Sequence, residues 1–332
     1  MERSTRVKAT RAGRTAPPFP PGGKRYYSFN SYLKEKFGCR VHRVSVDAGF
    51  SCPNRDGTTG TAGCIFCSNE GFSFNTGRTG GLAPVAEQLE SGIRFMRKRF
   101  RAQKFIAYFQ AFSSTYAPPE ELKKIYDNIK LFPNIVGLFI GTRPDCVPDE
   151  VLDLIASYRD GEKYLTWIEY GLQSARDDTL RRIGRGHTVA DFTDAAARTR
   201  ERGIGICAHV ILGLPGETRQ DMLSTAGYLC RTRVDGVKLH ALHVLKGTPL
   251  AEEYARRRVE LPDLDDYACL ACDFLERLDS GMVVMRLAPS ARPSSLVAPA
   301  WCASTREGAA AVEAEMERRN SWQGKLLGGN PA

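Results

Sequence analysis

Residues 204–222 read IGICAHVILGLPGETRQDM, and this stretch predicts one strand, one loop and the start of one helix. The apolar run at residues 204–212 predicts a buried strand. Thr218 and Asp221 have the spacing of a capping pair, which predicts that a helix begins beside them. A strand followed at once by a helix is the repeating unit of a parallel sheet.

The same order recurs along the chain. Five further apolar runs predict strands, at residues 41–46, 105–109, 135–140, 165–172 and 237–245. Between them, apolar residues three or four apart predict amphipathic helices. We therefore predict an α/β fold, a partial (β/α)6 barrel of parallel strands of the TIM type with a C-terminal extension of helix and strand.

The length of 332 residues and the hydrophobic share of 42% are sufficient for one large core. We predict three parts: a basic tail at 1–25, the barrel at 26–285 and a C-terminal extension at 286–332 that caps the barrel. Within the extension, the helical pattern at 312–319 is expected to cover the open seam of the barrel.

The net charge of +9 is concentrated at the N-terminus, where residues 1–25 contain seven Lys or Arg and one Glu. A disordered tail explains this composition, and a transit-like segment or an arm that touches RNA are alternatives. No apolar run approaches the roughly 20 residues that cross a bilayer, so no membrane span is expected. The ten cysteines lack the regular spacing of a disulfide scaffold, which favours a reducing compartment such as the cytoplasm.

Residues 52–67 read CPNRDGTTGTAGCIFC and place three cysteines, Cys52, Cys64 and Cys67, in a C-x11-C-x2-C spacing. Three thiolates on a glycine-containing loop can hold three irons of a [4Fe-4S] cluster and leave the fourth iron without a protein ligand. The alternative is a structural zinc site, in which Cys39 would complete a set of four thiolates.

Polar residues follow the predicted strands, at the end of a parallel barrel where chemistry takes place. Glu169 alternates with Gly171 and Gln173 on one side of its strand, where it either recognises an amino group or ribose hydroxyls or forms an ion pair with Arg143 or Lys238. Lys238 and His240 share one face of their strand, and we predict that this face points into the barrel. His209 is interpreted as a core histidine with satisfied hydrogen bonds.

Taken together, these residues resemble the radical S-adenosylmethionine (SAM) superfamily and, within it, the YhcC-like proteins in the branch that resembles the catalytic subunit of elongator. The resemblance spans roughly residues 26–302. The matching motifs are FSCPNRDG at 50–57, AYFQAF at 107–112, GTRPD at 141–145, EYGLQ at 169–173, RGH at 185–187 and GLPGE at 213–217.

The resemblance implies that Cys52, Cys64 and Cys67 bind a [4Fe-4S] cluster and that Phe66 packs near the adenine of S-adenosyl-L-methionine. It also implies further cofactor-binding residues: Gln110, Ser113, Thr115, Thr142, Arg143, Glu169, Gln173, Gly213 and Glu217. The implied activity is reductive cleavage of SAM to a 5′-deoxyadenosyl radical that acts on an unidentified substrate. A flavodoxin- or ferredoxin-type electron donor is implied as a partner, and RNA is one candidate substrate.

The remaining thiols have simpler interpretations. Cys269 and Cys272 lie on a helical pattern and are expected to pack in the core, and so is Cys302. As candidate catalytic residues we keep Lys238, His240 and Cys302, the last as a hydrogen-atom donor. The alternative from another functional class is a non-catalytic RNA-binding protein that is stabilised by zinc or by an iron-sulfur cluster.

Overall fold

The structure is a computed structural model that describes residues 23–68, 82–159 and 163–328. Most of the predicted basic tail therefore lies outside the described residues. In the described part of the chain, no helix is both long enough and apolar enough to cross a membrane.

Seven parallel strands form one sheet in the order β1-β2-β3-β4-β5-β6-β8. The strands are β1 (Val41–Val46), β2 (Lys104–Phe109), β3 (Ile135–Thr142), β4 (Leu165–Gln173), β5 (Gly205–Leu212), β6 (Gly236–Ala241) and β8 (Val283–Arg286). One face of this sheet curves around a common interior, because side chains from all seven strands line the same cavity. The predicted partial barrel of parallel strands is thereby confirmed.

Two details of the sheet differ from the prediction. The four-residue strand β8 extends the sheet beyond the six predicted strands, and it is too short to produce a clear periodic signal. The predicted strand at 237–245 is in fact two strands, because the chain leaves the sheet after Ala241. The second piece, β7 (Val244–Leu245), pairs antiparallel with β9 (Leu296–Ala298) in a separate small sheet.

Helices surround the strands. They are α1 (Phe29–Phe37), α2 (Val85–Phe100), α3 (Pro119–Tyr126), α4 (Asp149–Ser157), α5 (Asp177–Arg182), α6 (Val189–Glu201), α7 (Arg219–Thr232), α8 (Pro249–Ala255), α9 (Leu264–Glu276) and α10 (Thr305–Arg318). The predicted cap of α7 is present as a reciprocal capping box between Thr218 and Asp221. The main core lies between these helices and the outer face of the sheet.

Aromatic side chains fill the interior at the N-terminal end of the strands. Trp167 stacks on Phe139 with ring centroids 5.7 Å apart. The indole covers two glycines on neighbouring strands, and a Cβ atom would lie 2.7 Å from it at Gly205 and 2.9 Å from it at Gly236. These glycines are thus required by close packing, and the barrel is closed by hydrocarbon at this end.

Helix α1 lies between the two edge strands. It contacts both β1 and β8, and its Tyr32 packs edge-on against Trp167. Just before α1, the carbonyl of Tyr27 accepts a hydrogen bond from Val284 N in β8 at 2.8 Å. The seam between the edge strands is therefore filled by an N-terminal helix, whereas α10, which was expected to cover it, packs on α9 in the outer layer.

Candidate active site

A cavity of about 510 Å³ opens at the C-terminal end of the strands. This volume is within the range of small-molecule sites, roughly 300–1,000 Å³. Most of the residues predicted from the sequence line it: Cys52, Cys64, Phe66, Cys67, Gln110, Ser113, Thr142, Arg143, Glu169, Gln173, Lys238 and His240.

The three cysteines come from the segment that follows β1, and main-chain hydrogen bonds shape this segment. Cys52 O accepts from Arg55 N at 2.8 Å, and Cys64 O accepts from Cys67 N at 3.0 Å. The segment is anchored to the start of α8 by a bond of 2.9 Å from Leu250 N to Ile65 O. All three thiols are thus held against one cavity by local turns and by a distant helix.

Positive and amide groups surround these thiols. Arg185 Nη1 and Asn54 Nδ2 each lie 3.6 Å from Cys64 Sγ, and Arg55 donates to Cys67 O at 2.6 Å. Burial raises the pKa of Cys67, and so does the neighbouring Cys64, while Arg55 and Arg185 act in the opposite direction. Donors of this kind stabilise thiolates that bind a metal.

The position of Cys39 argues against a closed zinc site. Cys39 packs at the opposite end of the barrel, with the aromatic cluster around Trp167. Strand β1 lies between Cys39 and Cys52, and a strand of six residues is about 20 Å long. Cys39 therefore cannot be a fourth ligand beside the other three.

The three thiols line one cavity, which is the arrangement that a cubane cluster requires. Within residues 23–68, 82–159 and 163–328, no three Cys, His, Asp or Glu side chains lie close enough to share one metal ion. A [4Fe-4S] cluster instead takes one thiolate at each of three irons, so its ligands are spread over a wider surface. In the same cavity, Ser113 Oγ is a buried polar atom without a hydrogen-bond partner among the described residues, as expected where a polar ligand binds.

The loop after β2 has an unusual backbone at the cavity wall. Ala111 and Phe112 have positive φ angles of 84° and 58°, and Gln173 at the end of β4 has a φ of 74°. Non-glycine residues adopt this region at an energetic cost, which is often found at functional sites. Sequence reasoning missed this feature, because none of the three residues is a type that signals a left-handed backbone.

Arg143 has a structural partner. Its guanidinium binds Asp145 through two bonds of 2.9 and 2.7 Å and donates to Arg185 O at 2.8 Å. Burial alone would lower the pKa of Arg143, but the pair with Asp145 raises it. Arg143 therefore fixes the main chain that carries Arg185, and it is already paired.

Four predicted residues lie outside the cavity wall. Thr115 bonds Thr142 Oγ1 at 2.6 Å and so supports a residue that does line the cavity. Gly213 packs against Pro262, and the carboxylate of Glu217 accepts a hydrogen bond from Ser174, while burial raises its pKa. Cys302 is buried in the main core, and its role as a hydrogen-atom donor stays a prediction.

A charged layer crosses the interior below the cysteines. Glu169 forms an ion pair with Lys238, a second one with Arg43 at 3.4 Å, and accepts a hydrogen bond of 2.9 Å from His209 Nε2. Lys238 also donates to Tyr108 Oη at 3.0 Å. Burial would raise the pKa of Glu169, but Lys238, His209 and Arg43 hold it well below its usual value. Of the two predicted partners of Glu169, Lys238 is confirmed.

Sequence reasoning missed several residues of this cavity. His209 lines the cavity, whereas its sequence context predicted only a core histidine. The expected hydrogen bond of this histidine is present, because its ring bonds to Glu169. Arg43, Arg185 and Arg286 also line it. The alternation of β1 could have identified Arg43, since Val44 and Val46 point outward into the main core.

Comparison with known proteins agrees with this geometry. Residues 54–229 match the Radical SAM superfamily, and residues 234–318 match the Radical_SAM C-terminal domain. The chain belongs to the radical SAM superfamily. As a radical SAM protein it is an enzyme whose cofactors are a [4Fe-4S] cluster and SAM.

Full-length relatives place this radical SAM enzyme in the YhcC-like family. It is 38% identical over 313 residues to YtqA of Bacillus subtilis, covering 93% of this chain and 96% of YtqA. It is 39% identical over 300 residues to protein YhcC of Escherichia coli K12, covering 90% and 94%. The solved structure of Methanocaldococcus infernus Elp3 shares the fold, with a TM-score of 0.66 and 17% identity over 86% of this chain and 64% of that one.

Proposed function

We propose that Cys52, Cys64 and Cys67 are the three protein ligands of the cluster and that SAM binds in the same cavity. The observation that carries this proposal is the convergence of all three thiols on one cavity, whose wall also contains Ser113 Oγ, a buried atom that accepts or donates no hydrogen bond in the described part of the chain. When bound, the cluster supplies an electron that cleaves SAM and generates a radical able to abstract hydrogen.

The residues of the chain have separate tasks in this proposal. Phe66 packs beside the apolar cluster that contains Ile211 and Leu242, which gives the adenine an apolar surface. The rest of SAM is oriented by polar side chains near the strand ends, which belong to Gln110, Ser113, Thr142 and Gln173.

Three predicted cofactor residues act from behind this wall. Thr115 holds Thr142, Glu217 holds Ser174, and Gly213 provides a left-handed turn with a φ of 89°. Arg143 is a positioning residue for Arg185, because its own donors are occupied by Asp145 and by Arg185 O.

The partner and compartment follow from the same chemistry. A one-electron donor of the flavodoxin or ferredoxin type fits a cluster that must be reduced before each cleavage. None of the ten cysteines, all of which the structure describes, is in a disulfide, which is consistent with work in the cytoplasm. RNA remains a candidate substrate through the basic N-terminal tail, which a tail deletion followed by an RNA retention assay would test.

The test is anaerobic reconstitution with iron and sulfide, followed by reduction with dithionite in the presence of SAM. We expect about four irons per chain and formation of 5′-deoxyadenosine. Cys64→Ser should abolish both, whereas the matched control Cys39→Ser, at the opposite end of the barrel, should retain both. Iron-loaded protein that leaves SAM intact, or a Cys64→Ser variant that behaves like Cys39→Ser, would overturn the assignment.

A further inference from the structure

The cavity wall is strongly basic. Among the described residues that line it, Glu169 is the only acid, whereas seven are Lys or Arg: Arg43, Arg55, Arg143, Arg185, Lys238, Arg286 and Arg292. Some of these charges are compensated within the site. Arg143 is paired with Asp145, and Arg55 and Arg185 face the cysteine segment.

The charged layer around Glu169 keeps an excess of positive charge. Arg43 and Lys238 both pair with this one carboxylate, and their side chains are 22% and 2% exposed. Arg286, on β8, faces the same interior. Three cations thus face one anion, which pairs with two of them, and buried charge without a counter-ion is costly.

Arg286 is the cation of this layer that makes no direct contact with an anion in the described part of the chain. Among the described residues, its guanidinium is in no ion pair and no hydrogen bond, although it lines the cavity. Burial lowers the pKa of Arg286 and the nearby Arg43 lowers it further, while Tyr108 and Glu169 act in the opposite direction. A guanidinium presents five N–H donors in one plane. When these donors face a cavity, they are suited to bind a carboxylate or a phosphate.

A second donor lies beside this layer. His240 Nε2 is buried and has no hydrogen-bond partner within residues 23–68, 82–159 and 163–328, and the His240 ring is 5.5 Å from that of His209. His240 is on β6, the strand that pairs directly with β8. Two neighbouring strands therefore each present one unsatisfied nitrogen-bearing side chain to the same cavity.

We propose that this layer binds an anionic group, a carboxylate or a phosphate, of a small-molecule substrate, with Arg286 as its principal ligand and His240 as a second donor. The proposal rests on the proposed function and names the substrate class of that site. Gln173 follows Glu169 by four residues, or about 13 Å along β4, whereas Thr142 is level with Tyr170, next to Glu169. The experiment therefore saturates the enzyme with SAM, so that any anion bound is distinct from the SAM carboxylate.

The experiment measures anion binding separately from catalysis. Reconstituted holoenzyme is saturated with SAM, and the binding of radiolabelled inorganic phosphate and of acetate is measured by equilibrium dialysis, without reductant. We expect saturable binding of at least one of the two, and the preferred anion distinguishes a phosphate from a carboxylate substrate. Arg286→Gln should weaken this binding roughly tenfold or more, since a charge-assisted bidentate contact is lost.

Matched variants define the outcome. Arg306→Gln removes the same charge from an exposed position outside the cavity and should bind the anion like the wild type. Arg286→Lys keeps the charge without the fork and should bind with intermediate affinity, which provides a test if Arg286→Gln folds poorly.

Three results would overturn the proposal: no saturable binding of either anion, binding that is equal in Arg286→Gln and the wild type, or anion that binds only when SAM is absent. Competition by tRNA for the phosphate site would assign the anion to RNA and would also overturn it. Formation of 5′-deoxyadenosine, measured in parallel, reports on the proposed function alone, so the two failures are distinguishable.

Discussion

Glu169 and Lys238 form an ion pair in the middle of the barrel, with side chains that are 0% and 2% exposed. They lie on β4 and β6, with β5 between them, so this pair connects strands that are not neighbours in the sheet. Glu169 has additional partners in Arg43 and His209, whereas Lys238 has Tyr108. The two residues are therefore not equivalent, and their removal should have different effects.

Glu169→Gln should destabilise the protein more than Lys238→Met. The first change leaves Lys238 and Arg43 buried without their carboxylate, and breaking a buried pair in this way costs about 3–5 kcal/mol. The second leaves Glu169 with Arg43 and His209. Urea unfolding gives the free energies, and the double variant should lose less than the sum of the two single variants. An equal loss in both single variants would contradict this account.

The stability of the protein should fall as the pH decreases from about 6.5 to about 4. Burial, together with Lys238, lowers the pKa of His209 from 6.5 to about 4 in the folded state. In this interval the unfolded chain binds a proton that the folded state does not, so stability is complete above pH 6.5 and decreases below it, by up to about 3 kcal/mol. His209→Asn should reduce the pH dependence of the unfolding free energy between these values without abolishing it, because burial also lowers the pKa of His187, His240 and His243. A profile that is unchanged by His209→Asn would show that His209 does not control it.

Arg185→Gln should make the cluster harder to reduce. Arg185 Nη1 lies 3.6 Å from Cys64 Sγ, where its charge stabilises the extra electron of the reduced state. Each 1.4 kcal/mol of lost stabilisation shifts a one-electron potential by about 60 mV in the negative direction. A redox titration followed by electron paramagnetic resonance measures the shift, and Arg185→Lys should show a smaller one. An unchanged potential in Arg185→Gln would show that the charge of Arg185 does not influence the reduction potential of the cluster.

Gly205→Ala should destabilise the barrel by about 1–3 kcal/mol. The new methyl group would lie 2.7 Å from the indole of Trp167, which cannot move away from Phe139 and Tyr32 without repacking the closed end of the barrel. The control is Gly227→Ala inside α7, where the methyl group meets only the flexible end of Arg231 and should stabilise by up to about 1 kcal/mol. Thermal unfolding compares the two variants, and a neutral Gly205→Ala would mean that the close packing at Trp167 is not tight.

The parts of the site that regular strands position were predictable from the sequence. Alternation along β4 and β6 places Glu169, Lys238 and His240 inside the barrel, because side chains of a strand point to opposite faces in turn. The spacing of the three cysteines predicts that they bind one cluster together, because cluster binding requires only that one loop bring the three thiols close to each other.

The parts that depend on loops were not predictable. Where the chain leaves a strand, the direction of a side chain depends on backbone angles that the residue type does not reveal, as at Ala111 and Phe112. For this reason Thr115 was expected at the cofactor but supports Thr142 from behind. Arg286 escaped prediction because its strand is four residues long, and from the sequence Arg143 could pair with either Asp145 or Glu169.

Helix α1 fills the seam between β1 and β8, and the residues just before it are hydrogen-bonded to the C-terminal part of the described chain. Gln323 N donates to Arg25 O at 3.0 Å, and Gln323 Oε1 accepts from Tyr27 N at 2.9 Å, directly before α1. A ribosome synthesises α1 first and β8 hundreds of residues later, so during translation the nascent barrel has one unsealed side and exposes the aromatic surface of α1 and β1. Newly made protein should thus need protection from aggregation until β8 has been synthesised and can pair beside α1.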